Sequence, residues 1–198
     1  MSLLFATADD LDAWLCGPGA AEPEAWLVVA RKGHPGLTAD QAGDVALCHG
    51  WIDSQRNRLN KHQFLQRYSP RRPGSPWSQM NVDRAESLLS AGRMRPGGHA
   101  EIAAARADGR WARAYQPQRT ATVPPQLDAA LVADQPAKAA FQELSRSAQY
   151  ALFLPILKAR TDRTRATALR NALSRLPQPS TPGPHGTAPA GHKYKTVA

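Results

Sequence analysis

Cysteine is scarce in this sequence: Cys16 and Cys48 are the only two among 198 residues. So few do not build a disulfide-dense secreted scaffold, and they fit no metal-ligand spacing. Both read as free thiols packed as small apolar side chains. The histidines His34, His49, His62, His99, His185 and His192 form no HxxxH, HxH or Cys/His pattern, so no metal site is expected from the sequence. Long hydrophobic runs are also missing. The stretch Leu3, Leu4, Phe5, Ala6 is far too short for a signal-peptide core. It has no basic residue before it, and Asp9, Asp10 and Asp12 follow at once. Nothing further on approaches the ~18–20 apolar residues needed to cross a bilayer. These absences predict a soluble, cytoplasmic protein with no membrane insertion. Phosphate-loop and dinucleotide signatures are absent too, which removes the commonest nucleotide-enzyme readings and implies no cofactor.

What is present is positive charge, unevenly spread. The net charge is +9. Residues 1–48 hold seven acidic side chains against two basic ones, whereas residues 49–119 hold thirteen basic against five acidic. Such a field favours anionic partners. It is densest between residues 54 and 72, where Arg56, Arg58, Lys61, Arg67, Arg71 and Arg72 occur with no acidic residue among them.

The order of elements is legible from caps and periodicity. Thr7 predicts a short helix ended by Gly17-Pro18, and Trp26–Lys32 predicts a strand. Thr38 predicts a second helix to about Cys48. Trp51–Leu59 and Gln63–Ser69 predict a hairpin around the polar turn Asn60-Lys61-His62, with Trp51 and Asp53 on one face of the first strand and Ser54 and Arg56 on the other. From Asn81, read as a cap, the pattern is helical: Val82, Ala85, Leu88 and Leu89 make one stripe. Further helices start at Pro96 and Pro124. A long one begins near Pro136 and is kinked or broken at Pro155, and an Arg-studded helix runs from Thr161 to Leu176. Beyond it, Pro177, Pro179, Pro182, Pro184 and Pro189 alternate with small residues, a composition that predicts disorder over 177–198. The expected fold is α+β: a small antiparallel sheet of about three strands packed against a mainly helical C-terminal half. It forms one domain over 1–176, sheet-bearing to 80 and helical from 81 to 176, with a disordered tail.

The candidate working surface is Arg- and Trp-rich: Trp51, Asp53, Ser54, Arg56, Arg67, Arg71, Arg72, Trp77, Arg93 and Arg95. Guanidinium groups grip phosphate or carboxylate with paired hydrogen bonds, and aromatic faces stack on bases or guanidinium groups. The competing reading makes Trp51 and Trp77 core, pairs Asp53 with one arginine and leaves the other arginines solvated. Asp53 and Ser54 point to opposite strand faces and make no dyad unless a bulge intervenes. Cys48, at the end of an apolar helix stripe, is a poor nucleophile. The glycines Gly97-Gly98 at a helix start, flanked by Arg93 and Arg95, offer a second anion-site candidate. No catalytic residue is assigned.

Several words resemble one family. Ala46-Leu-Cys-His-Gly-Trp-Ile-Asp-Ser-Gln-Arg56 is followed by Phe64-Leu-Gln-Arg-Tyr-Ser-Pro-Arg-Arg-Pro73, then Ser75-Pro-Trp-Ser78, Asn81 and Gly92-Arg-Met-Arg-Pro-Gly97. Later come Ala107-Asp-Gly-Arg-Trp111, Ala121-Thr-Val-Pro124 and the run from Phe141 through Leu144-Ser145 to Tyr150. Together, over roughly residues 5–175, they resemble the YdeI/OmpD-associated family, also called bacteriocin-protection proteins. Two positions depart from its pattern: His49, where an aromatic residue is usual, and Pro155, inside a helix that is usually continuous. The resemblance implies a non-enzymatic bacterial role in stress or in protection from bacteriocins and antimicrobial peptides. Joined to the charge pattern, it implies an anionic partner, nucleic acid or an acidic protein. The alternatives are an enzyme for a small phosphorylated or carboxylated substrate, and a protein–protein adaptor. The sequence leaves the oligomeric state open.

Overall fold

The computed structural model describes residues 2–176, so the expected tail disorder over 177–198 lies outside the described residues. Two compact units divide the chain, one ending at Thr122 and the other starting at Val123. Among the described residues there are eight α-helices and a four-stranded mixed sheet, an α+β architecture. The elements of the first unit are β1 (Ser2–Leu3), α1 (Ala8–Cys16), β2 (Ala25–Ala30), α2 (Ala39–Cys48), β3 (Trp51–Arg58), β4 (Gln63–Pro70), α3 (Gln79–Ser90) and α4 (Pro96–Ala107).

Strand order is β1-β2-β4-β3. This corrects the expectation of three antiparallel strands: β1 pairs parallel to β2 through Ser2↔Trp26 and Leu3↔Leu27. Two residues are too few to show alternation, so this edge strand carries no periodic signal. Helices are not confined to the C-terminal half either, because α1 and α2 pack beside the sheet. Among the described residues no helix is long and apolar enough to cross a membrane.

The core follows from which face each element turns inward. Leu11 and Leu15 of α1, Leu27 and Val29 of β2, Ala42, Val45 and Ala46 of α2, and Trp51, Phe64 and Tyr68 of the hairpin form one cluster. The opposite side of α2, through Leu47 and Cys48, joins Trp77, Val82, Ala85, Leu88, Met94, Ile102 and Ala105 in a second. Helix α2 is thus sandwiched between sheet and helices. Each large side chain buried there contributes about 1.5–3 kcal/mol.

Local choices explain the boundaries. Thr7 and Thr38 each close a reciprocal capping box. Helix α3 starts three residues earlier than Asn81 implies, because the Ser78 hydroxyl accepts the Asn81 N–H at 3.2 Å and caps the helix instead.

The second unit holds α5 (Pro125–Ala133), α6 (Gln135–Glu143), α7 (Arg146–Lys158) and α8 (Asp162–Ser174), with Leu127, Leu131, Phe141, Leu152, Phe153 and Ile156 buried. The long helix expected from Pro136 is two helices. The break falls at Leu144-Ser145, where Ser145 caps α7 through the Ala148 N–H. Pro155 lies inside α7 without ending it. Pro155 and Ala151 are both exposed, so the Ala151 carbonyl left without its intrahelical donor faces solvent.

Candidate functional site

Strand β3 carries an irregularity that decides where its arginines point. Asp53 pairs with Tyr68 and Arg56 pairs with Gln66, so three steps on β3 match two on β4. The extra residue is a β-bulge, and beyond it the side-chain alternation reverses. Arg56 therefore lies on the inner face, contrary to the simple alternation. Its Nε donates to Gln66 Oε1 at 2.9 Å and its guanidinium sits 4.1 Å from the Phe64 ring centroid. Arg67 lies on the outer face, where Nε donates to Glu24 Oε2 at 2.9 Å and Nη1 to Ser54 Oγ at 3.2 Å. The hydrogen bond from Arg67 holds the Glu24 carboxyl below its ordinary range. Asp53 shares the inner face with Tyr68, so Asp53 and Ser54 still point apart. The expected ion pair of Asp53 does not form among the described residues. Asp53, Tyr68, Asn81 and Arg84 line a cavity of about 30 Å³. That is about the share of one water molecule in the liquid and too small for a substrate.

Trp51 and Trp77 are core side chains, 4% and 1% exposed. Trp51 meets Trp14 edge-on, and Trp77 packs against Trp111 with ring centroids 4.8 Å apart. Neither offers a face on which a base can stack. Arg71 is 5% exposed, its guanidinium 3.7 Å from the Trp77 ring. Its Nη1 reaches the Pro76 carbonyl at 3.4 Å, whereas Nε, Nη2, Trp77 Nε1 and Glu101 Oε2 are buried without hydrogen-bond partners. Burial pulls the Arg71 pKa down to about 10, against a smaller upward pull from Glu101. A second buried arginine, Arg110, is held by Asp108 and by the Ser75 carbonyl, with Glu101 3.8 Å away. Arg71 is thus an internal charge. Its neighbour Arg72 is exposed.

Arg93 and Arg95 are committed to carboxylates, Asp44 at 3.6 Å and Asp12 at 2.5 Å. The structure therefore distributes the arginines over the inner sheet face, the outer sheet face, the interior and the rim of α1 and α2, and brings no three of them to one point. Gly97 and Gly98 serve packing. A Cβ on Gly98 would run into the Cys48 carbonyl and the Met94 sulfur, and one on Gly97 would come within 2.5 Å of the His49 carbonyl. Arg95 N–H donates to the Cys48 carbonyl at 3.1 Å. The positive end of α4 is thus occupied by the carbonyl end of α2, where an anion would otherwise sit.

Two groupings escaped the linear pattern. The first is the turn end of the hairpin. Ala30 pairs with Gln63, Arg58 pairs with Phe64, and the Arg31 N–H donates to the His62 carbonyl at 2.8 Å. Arg31, Lys32, Arg58, Lys61, His34 and His62 therefore share one end of the sheet, with the two imidazoles 3.3 Å apart between Nδ1 of His62 and Nε2 of His34. Arg31, Lys32, Arg58 and Lys61 are exposed and form no ion pair among the described residues. Arg72 lies beyond the other end of β4, roughly 25 Å along the strand.

The second grouping joins α1 to the end of α2. Asp12 and Cys16 are one turn apart on α1, and His49 caps α2. His49 Nε2 and Asp12 Oδ1 are 2.8 Å apart, and ligand atoms of Asp12, Cys16 and His49 all lie within 4.8 Å of one another. The Arg95 hydrogen bond holds the Asp12 carboxyl below its ordinary range, helped by His49 and opposed by burial. A polar cavity of about 220 Å³, lined by Asp12, Val45, Cys48, Arg93 and Arg95, adjoins it. Burial raises the Cys48 thiol pKa, which fits the inert core role assigned to it. Spacing along the chain missed this cluster because His49 stands 37 residues from Asp12.

A cavity of about 600 Å³ lies in the second unit between α7 and α8, lined by Leu152, Leu154, Pro155, Ala168 and Ala172 with Lys158 and Arg175 among its walls.

Comparison with curated proteins and with solved structures gives no match in either. Two family models do match. The one described as Domain of unknown function (DUF8412) spans residues 3–101, half of the chain, and takes in the motifs from Ala46 to Gly97. The one described as Bacteriocin-protection, YdeI or OmpD-Associated spans residues 120–178, with the Ala121–Pro124 and Phe141–Tyr150 segments inside it. The chain belongs to the DUF8412 family through residues 3–101 and matches the bacteriocin-protection, YdeI or OmpD-associated family over residues 120–178.

Proposed function

We propose that this protein acts in the cytoplasm in a bacteriocin-protection role of the YdeI/OmpD-associated kind, and that it engages an extended anionic partner through the turn end of the β3–β4 hairpin. The family match over residues 120–178 supports the role. The observation that carries the anionic partner is Arg31, Lys32, Arg58 and Lys61 at one end of the sheet without carboxylate partners among the described residues, while Arg67, Arg93 and Arg95 are paired with carboxylates and Arg71 is buried. With Trp51 and Trp77 in the core, recognition runs through charge and hydrogen bonding rather than through base stacking. Phosphates and carboxylates both satisfy those donors.

The test is binding of labelled duplex DNA and of a poly-glutamate peptide to the full chain across a salt series. The double variant Arg58→Ala/Lys61→Ala should weaken binding and flatten the salt slope by about two charges. Arg72→Ala should leave both unchanged. Binding of neither polyanion at moderate salt, or equal binding by the double variant, defeats the assignment. Preference for DNA or for poly-glutamate names the partner class.

A further inference from the structure

We propose that Asp12, Cys16 and His49 form a three-ligand site for a borderline-soft divalent cation of the zinc class. The donors are a carboxylate oxygen, an imidazole nitrogen and a thiol sulfur, each a common zinc ligand. A thiolate with an imidazole selects against calcium and magnesium, which take oxygen shells. Helix α1 sets two of the ligands, since Asp12 and Cys16 are four residues apart and share a face. Helix α2 sets the third, because His49 is its C-cap residue and reaches back to Asp12.

The distances are close to those required. Zinc bonds of about 2.0–2.3 Å in a tetrahedron place ligand atoms roughly 3.3–3.8 Å apart. The three atoms already lie within 4.8 Å of one another, and the His49–Asp12 pair stands at 2.8 Å with a shared proton between them. A cation in place of that proton opens the pair by about half an ångström, and exposed Cys16, the last residue of α1, closes the remaining gap by a side-chain rotation. On binding, the imidazole keeps one proton by tautomer exchange and the thiol proton passes to solvent. Arg95 is the charged neighbour that matters. Its Nη2 donates to Asp12 Oδ2 at 2.5 Å and its Nε to Oδ1 at 3.2 Å, a two-point pairing that orients the carboxylate with Oδ1 toward His49.

The experiment titrates the full chain with Co²⁺, a zinc surrogate whose bond to thiolate gives a charge-transfer band in the near ultraviolet. One equivalent should develop the band in wild type and in Cys48→Ser, and Cys16→Ser should abolish it. His49→Ala and Asp12→Asn should each weaken binding at least tenfold. Cys16 is exposed and makes no packing contact in either core cluster, so its serine variant should melt at the wild-type temperature. Cobalt bound without the band, as His185 or His192 could hold it, or a band that survives Cys16→Ser, overturns the site.

Discussion

Arg71 is a charge held where water is scarce, and its neighbours only partly compensate. The guanidinium carbon sits over the Trp77 ring, Glu101 lies near enough to raise its pKa, and one weak hydrogen bond reaches Pro76. Because burial lowers its pKa to about 10, the fold disfavours the charged form. That cost is fully present below about pH 10 and fades as pH rises toward the unfolded value. Removing the side chain is nonetheless harmful, since it empties the space over Trp77 and leaves Glu101 with Arg110, 3.8 Å away, as its cationic neighbour. Arg71→Ala should cost about 2–4 kcal/mol in urea unfolding, and Arg71→Met, which refills the space over the ring, should cost less. Equal stability of wild type and Arg71→Ala would show the residue to be dispensable.

Asp12 behaves oppositely. Its pKa is lowered, chiefly by Arg95, so its contribution is present above the ordinary carboxylate range and is lost as pH falls through the folded value. Asp12→Asn should therefore be less stable than wild type by about 1–2 kcal/mol at neutral pH, and the gap should close as pH falls below the ordinary carboxylate range. A gap independent of pH would mean that the carboxylate charge contributes nothing. These pairings could not be read along the chain. Arg67 finds Glu24 and Arg95 finds Asp12 across separations of 43 and 83 residues. What was legible was the surplus of charge; which arginines remain unpaired depends on tertiary proximity.

At the level of elements, the closest fit is between the C-terminal end of α2 and the start of α4. Gly98 lies where a Cβ would meet both the Cys48 carbonyl and Met94, and Gly50, with φ of +77°, turns the chain just below Gly97. Gly98→Ala should destabilise the protein by about 2–3 kcal/mol, measured by thermal or urea melts, because the obstruction is backbone and does not move aside. A melt unchanged from wild type would mean that the helices can part at no cost. Helix starts at Thr7, Thr38 and Thr161 were readable because each threonine stands before a helical pattern and caps through local bonds. Ser78 and Ser145 were missed for a related reason. Asn81 is as good a cap by type as Ser78, and Ser145 sits inside a stretch whose apolar residues look continuous. Propensity ranks candidates; hydrogen bonds to Asn81 and Ala148 choose among them.

At the level of the whole molecule, both core clusters draw only on residues before Thr122. A chain of residues 1–122 should therefore unfold in one cooperative transition by circular dichroism. A broad, non-cooperative melt would show that its core needs residues beyond 122. The α+β class was legible from the alternation of caps and strands. The fourth strand was not, since a two-residue parallel edge has no pattern of its own. The family matches divide the chain in a comparable way, DUF8412 falling within the first unit and the bacteriocin-protection match starting three residues before the second and running to residue 178.

The bulge in β3 acts on the strand as a frameshift acts on a reading frame. Ser54 and Gln55 together face one step of β4, so the inside–outside order is reset between Asp53 and Arg56. Loss of either residue would restore plain alternation and leave every pairing from Arg56 to Arg58 where it is. Loss or gain of a residue anywhere after the bulge would turn Arg56 off Phe64 or Arg58 off the inner face. The strand thus contains one place where its length is free to vary and several where it is not, and the two kinds of position are only a residue apart.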